Sequence, residues 1–310
     1  MILTILKTVL GLVILLAIGF LCSKAGLIDE AAERKLTDLL LKVVQPVYLF
    51  MAYQRAFEQD LLRDFLICLA MAAAAFLAMI LLPRLFFSKG SRDREESLII
   101  CAFPNVGFLG IPLISGIYGT EGVFFLTTMI TMFNVLIWTY GVIVMSGSHD
   151  SVRATVKRLL SPALIAIAIG LVCFSLGLLL PEAIASPLNQ LCSMHTPLAM
   201  LISGAVVARA DVRQGLKDPL VYKISLFRML LLPAMVALLL FWLPVDPMLI
   251  TIVVLASGFS AGSIPLMLCI RYNKNSVLAG ECLALTTLLC AVTTPLVYLL
   301  LNLLMGAINL

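Results

Sequence analysis

The chain has 310 residues, 62% of them apolar and only 12% charged, with a net charge of +4 and a mean hydropathy of +1.11. An ordinary soluble domain carries about 25% charged residues, so water is excluded as the solvent for most of this surface. The positive charge is small and scattered, with no basic run interleaved with exposed aromatics, which argues against nucleic-acid binding.

A helix needs about 20 apolar residues to cross the hydrocarbon core. Ten such runs follow one another at approximately Leu3–Cys22, Leu36–Ala56, Leu62–Phe87, Ser97–Tyr118, Val123–Met145, Ala163–Leu180, Leu188–Ala208, Leu220–Leu243, Met248–Ile270 and Val277–Leu304. The first has Lys7 near its start, as a secretory leader would, but no small-residue cleavage site follows it, so it is expected to remain as a membrane helix. The expected fold class is an all-α polytopic membrane protein. Alternating segments of about ten residues, which a membrane barrel requires, are not seen.

Basic residues alternate between loops. The first loop has Lys24, Arg34 and Lys35, the third Arg84, Lys89, Arg92 and Arg94, and the fifth Arg153, Lys157 and Arg158. The seventh has Arg209, Arg213, Lys217 and Lys223, and the ninth Arg271 and Lys274, whereas the even loops contain only Arg55 and Arg63. Positive charge is retained on the cytoplasmic face, which predicts cytoplasmic odd loops and both termini on the non-cytoplasmic side of the cytoplasmic (inner) membrane.

The two halves echo each other. Val44-Gln45-Pro46-Val47 in the second run is matched by His195-Thr196-Pro197-Leu198 in the seventh, 151 residues later. Leu109-Gly110-Ile111-Pro112-Leu113 in the fourth is matched by Gly262-Ser263-Ile264-Pro265-Leu266 in the ninth, 153 residues later. Each half holds five runs, an odd number, so the expected organisation is a five-helix repeat over residues 1–147 and a second, inverted one over 148–310. Inverted repeats of this kind are a transporter signature.

The densest local signal is Phe103-Pro104-Asn105-Val106-Gly107-Phe108-Leu109-Gly110-Ile111-Pro112. Proline removes an amide donor and clashes with the preceding turn, and glycine frees the backbone, so the fourth helix is expected to break mid-membrane. The ninth carries the counterpart in Ser257-Gly258-Phe259-Ser260-Ala261-Gly262-Ser263-Ile264-Pro265. Freed amides at membrane depth, at the positive end of a half-helix, suit a carboxylate. The plainer alternative is a pair of kinked packing helices with small residues for close approach.

These residues resemble a known family. Pro104-Asn105 followed by Gly110-Ile111-Pro112-Leu113 and Tyr118-Gly119 is similar to the fourth helix of the auxin efflux carrier family. Gly19 through Gly26-Leu27-Ile28-Asp29, Thr196-Pro197-Leu198, and Ile264-Pro265 with Arg271-Tyr272-Asn273 are similar to its bacterial members, so the resemblance spans nearly the whole chain. The resemblance implies ten helices in two inverted repeats, a crossing of the broken fourth and ninth helices, frequent homodimers, and transport of organic anions such as auxin, malate or malonate. Where many members place the second crossover proline, this chain has Ser260.

The expected activity is secondary transport of a small carboxylate by alternating access. Asn105, freed amides near Gly107, Ser260, Ser263 and Asn134 are the candidate substrate contacts, and Pro104, Pro112 and Pro265 fix the breaks. The third to fifth and eighth to tenth helices are expected to move against the first, second, sixth and seventh. Glu281 and His195 are candidates for proton coupling. The plain alternatives are an interfacial carboxylate paired with Lys274 or Arg271, and a packing histidine. Asn134 and Gln45 either line the cavity or bridge helices. Lys42 and Arg228 either snorkel to an interface or turn inward to attract an anion.

No cofactor or metal is expected. The eight cysteines show no C-x-x-C spacing and are read as reduced filler, and the coupling ion is H⁺, Na⁺ or none. Expected partners are the lipid bilayer, the substrate and a second copy of the chain, with no nucleic acid. The parts of an intramembrane hydrolase and a nucleotide-binding loop are missing. A channel would want a continuous polar pore lining, and a non-transporting sensory module would normally bring a soluble domain; these are the competing readings.

Overall fold

The computed structural model describes residues 2–88, 90–91, 93–147, 160–210 and 217–306. Lys89, Arg92, Arg153, Lys157, Arg158 and Arg213 of the basic loops lie outside them, as does the start of the expected second half at residue 148. Every element among the described residues is helical, and the one β feature is an isolated antiparallel bridge between Pro104 and Ala261.

In chain order the helices are α1 (Ile2–Lys24), α2 (Glu30–Leu39), α3 (Gln45–Met51), α4 (Gln59–Phe86), α5 (Arg94–Ala102), α6 (Ile111–Leu136) and α7 (Val142–Ser146). There follow α8 (Pro162–Ser175), α9 (Glu182–Ser193), α10 (His195–Arg209), α11 (Pro219–Leu226), α12 (Leu232–Leu240), α13 (Pro247–Ser257), α14 (Ser263–Arg271) and α15 (Ser276–Gly306). Six stretches are long and apolar enough to cross a bilayer: Leu3–Lys24, Gln59–Phe86, Val106–Ser146, Glu182–Arg209, Pro219–Leu240 and Ser276–Gly306. Pro162–Ser175 and Pro247–Ser257 are shorter apolar helices. Leu3, Leu6, Leu10, Ile14 and Leu21 of α1 are exposed at helical spacing, an apolar stripe that only lipid can cover at no cost. The molecule is therefore a polytopic, all-helical membrane protein.

Three helix starts share one local code. Ser161, Asp218 and Asp246 each precede a proline at the first helical position and accept a backbone N–H with the side chain, from Leu164, Leu220 and Met248 respectively. The cap satisfies one orphan donor, and the proline occupies a position where an N–H would have had no partner.

Prolines inside helices have a different outcome. π-Helical turns occupy Leu40–Val44, Val106–Gly110 and Phe227–Leu231, each ending two residues before a proline, Pro46, Pro112 or Pro233. The ring of each proline opposes the carbonyl four residues back, at Lys42, Phe108 or Met229, and the backbone widens there instead of breaking. A fourth π turn, Ile137–Gly141, joins α6 to α7 without a proline. At the expected boundary between the fourth and fifth runs two helices abut at Gly119, whose φ of 64° and ψ of −153° are not helical and would strain a side chain.

α1 and α10 approach closely. A Cβ on Gly19 would lie 2.3 Å from the Leu201 carbonyl oxygen, and one on Gly204 would lie 2.1 Å from that of Leu16. Small residues permit this backbone contact, which drives helix association where lipid removes the hydrophobic effect. Nearby, Arg209 at the end of α10 pairs with Glu33 of α2. Gly204→Ala is expected to lower thermal stability by about 1–3 kcal/mol through overpacking. Gly11→Ala on α1, with no atom within 4 Å of its Cβ, is expected to be neutral or to gain about 0.5–1 kcal/mol. Thermal unfolding of the two variants in one detergent checks the contrast.

Candidate functional site

The fourth and ninth runs both lose helical structure in the middle, and the two interruptions meet. α5 ends at Ala102, the chain is extended at Phe103 (φ −118°, ψ 97°), and the Val106–Gly110 turn restarts it. α13 ends at Ser257 and α14 begins at Ser263, after Gly262 in an extended conformation. The strands between them exchange backbone hydrogen bonds: the Asn105 amide donates to the Ser260 carbonyl at 2.9 Å, and the Gly262 amide to the Phe103 carbonyl at 3.1 Å. A Cβ on Gly262 would lie 3.2 Å from the Phe103 carbonyl oxygen, a tight contact that would push the two segments apart by a few tenths of an ångström.

The remaining groups at the crossing are held by side chains. Asn105, 8% exposed, caps the restarted helix by accepting from the Phe108 amide at 3.2 Å through Oδ1. Thr286 of α15 accepts from the Ala261 amide at 2.9 Å. Arg228, in the π turn between α11 and α12, is fully buried at 0% exposure. Its Nε donates to the Phe259 carbonyl at 3.0 Å, and its Nη1 to the Ile100 and Cys101 carbonyls at 2.7 and 2.5 Å. These last two belong to the final turn of α5, where carbonyls have no partner within the helix.

Several polar groups here have no partner among the described residues. They include the Ser260 hydroxyl, the Gln45 Oε1, both ring nitrogens of His195, and the Arg228 Nη2. Buried polar atoms are nearly always paired in proteins, so such a concentration marks a place where water, an ion or a ligand belongs. Gln45 of α3 lies against the break, since a Cβ on Gly107 would be 3.1 Å from its Nε2. One turn along α3, Tyr48 stacks near the His195 ring at 5.1 Å between centroids and donates to Ser115 at 2.8 Å. Tyr48 and Ser115, with Asn189, Ser193 and Thr196, line a cavity of about 270 Å³.

Asn105, Gly107 and Ser260 are thus brought together, with Pro104 in the bridge itself and Pro112 and Pro265 buried in the helices that leave it. Ser263 opens α14 and is half-buried. Asn134 is bound on its own helix, its Nδ2 donating to the Ile130 carbonyl at 2.8 Å. His195, 0% exposed, belongs to the Tyr48 region, and Glu281, 6% exposed, is buried early in α15. Lys42 points outward and pairs with Asp38 at 2.8 Å. Arg228 does not snorkel. The sequence left its direction open and offered Gln45 as either cavity lining or a bridge between helices, whereas Tyr48 gave no signal beyond proximity to Pro46. Among the described residues no cluster of His, Cys, Asp or Glu could hold a metal ion.

Thr286→Val keeps the shape but strands the Ala261 amide, so it is expected to cost about 1–3 kcal/mol. Thr287→Val removes only a bond from the hydroxyl to the Leu283 carbonyl within the same helix, and is expected to cost under about 1 kcal/mol. Parallel thermal unfolding curves separate the two.

Residues 4–298 match the family described as membrane transport protein. An uncharacterized transporter of Methanothermobacter thermautotrophicus is 26% identical over 303 residues, covering 94% of this chain and 96% of its own. An uncharacterized transporter of Methanocaldococcus jannaschii is 25% identical over 241 residues, covering 74% of this chain and 77% of its own. With the family match running nearly end to end, the chain belongs to the membrane transport protein family, that of the auxin efflux carriers.

Proposed function

We propose that the protein is a secondary active transporter that moves a small carboxylate across the cytoplasmic membrane by alternating access, with its binding site at the crossing. The observation that carries this reading is the meeting of two interrupted helices, which pair with each other through their backbones and hold the Ser260 hydroxyl without a partner among the described residues. Irregular backbone at membrane depth is tolerated where it lines a cavity, and half-helix N-termini attract anionic groups. Asn105, the Gly107 amide, Ser260 and Ser263 hold the carboxylate. The cavity beside Tyr48 and Thr196 is the route by which it arrives. Its size favours a small acid over a bulky one.

On this reading the chain crosses the membrane ten times, in inverted repeats of residues 1–147 and 148–310, with four crossings assembled from shorter or interrupted helices. The segment containing α4 to α7 and that containing α11 to α15 move against α1 to α3 and α8 to α10. The close glycine contact between α1 and α10 suits the static part. The distribution of basic loops supports termini on the non-cytoplasmic side. Glu281 and His195 are the groups through which a proton gradient would act, Na⁺ being the other coupling ion, and the working unit is a homodimer. Family membership favours translocation over catalysis.

Purified protein in proteoliposomes is expected to take up one member of a panel of labelled mono- and dicarboxylates, saturably, under an imposed proton, sodium or voltage gradient. Asn105→Ala is expected to fold and to lose about tenfold or more in uptake, the equivalent of one hydrogen bond to a charged group. Unchanged uptake in that variant removes Asn105 from the site. No uptake of any acid by folded wild type under any gradient ends the carboxylate reading.

A further inference from the structure

We propose that Arg228 is the positioning residue that makes the crossing selective for anions. This rests on the transport reading above and adds a residue that neither the family match nor the crossover motif singles out. Four helix ends converge at the crossing. α5 and α13 arrive with carbonyl ends, which carry partial negative charge, and the Val106–Gly110 turn and α14 leave with amide ends, which carry partial positive charge. Left alone, the two signs would largely cancel for a ligand at the centre.

Arg228 removes that cancellation. Three of its five N–H groups cover the Ile100 and Cys101 carbonyls at the end of α5 and the Phe259 carbonyl just beyond α13. A full positive charge therefore sits on the negative ends, and the amide ends face the ligand without opposition. No carboxylate among the described residues forms an ion pair with Arg228, and its Nη2 retains two unpaired N–H groups at 0% exposure. A buried cation without a counter-charge is costly, and a bound anion is the natural species to lower that cost. The side chain acts through the half-helices and need not touch the substrate.

The test measures preference for charge, which a purely structural arginine would leave alone. Wild type, Arg228→Lys and Arg228→Gln are purified, and binding of malonate, succinate and lactate is compared with that of malonamide, succinamide and lactamide by thermal-shift titration. Wild type is expected to prefer acid over amide. Arg228→Gln is expected to reduce that preference about tenfold or more, as removal of a unit charge roughly 8–10 Å away implies at an effective dielectric constant of about 20. Arg228→Lys keeps the charge but loses the planar fork, so it is expected to hold the preference within about threefold while maximal uptake falls.

An unchanged acid-to-amide ratio in Arg228→Gln overturns the proposal even if stability and turnover drop. Should that variant fail to fold, Arg228→Lys decides: retained preference with slower uptake supports the proposal, and lost preference refutes it. Wild type that distinguishes no acid from its amide defeats the carboxylate reading and this inference with it, an outcome separate from either result with the variants.

Discussion

A backbone carbonyl or amide in hydrocarbon must find a partner, and the centre of this molecule is organised around that requirement. Two helices stop halfway through, which exposes orphan groups from four ends in a region without bulk water. Pairing between the breaks satisfies some of them, through Asn105 with Ser260 and Gly262 with Phe103. The Asn105 side chain, Thr286 and Arg228 satisfy others. What is left over at the crossing is mixed in kind: the Ser260 hydroxyl, the accepting Oε1 of Gln45 and the donating Nη2 of Arg228 have no partner among the described residues.

The same arrangement divides the labour between elements. α15 supplies Thr286, and the turn between α11 and α12 supplies Arg228, so both of these side chains bind the interrupted backbone directly. α3 and α10 offer Gln45, Tyr48 and His195: Gln45 lies against Gly107, Tyr48 donates to Ser115, and the Tyr48 and His195 rings pack against each other.

Much of the crossing was legible in the sequence because proline and glycine act locally. Pro104, Gly107, Pro112, Gly258 and Gly262 forbid a regular helix wherever the chain runs, and Asn105 beside them is a ready cap. Arg228 was not legible. Whether an arginine snorkels or turns inward depends on carbonyls 127 and 128 residues away in sequence, which no local pattern encodes. Asn134 shows what a sequence cannot weigh: an amide at depth suggests function, yet one of its groups is already held by the Ile130 carbonyl four residues back. The helix prolines gave a partial reading. Breaks were expected only in the fourth and ninth runs; at Pro46 and Pro233 the backbone forms a widened turn instead, because lipid penalises an open break that nothing covers.

Those widened turns also fix which way each helix faces. A π turn holds one residue more than the α-helix would in the same place, so everything beyond it is rotated by about 100° relative to an uninterrupted helix. Gln45 and Tyr48 follow such a turn, and so does the stretch of α6 that begins at Ile111. The azimuth of these side chains is therefore set by residue count upstream as much as by residue identity. In such a chain a one-residue insertion or deletion near Leu40–Val44 would leave the composition of the helix almost untouched and still redirect its polar face from the protein interior towards lipid.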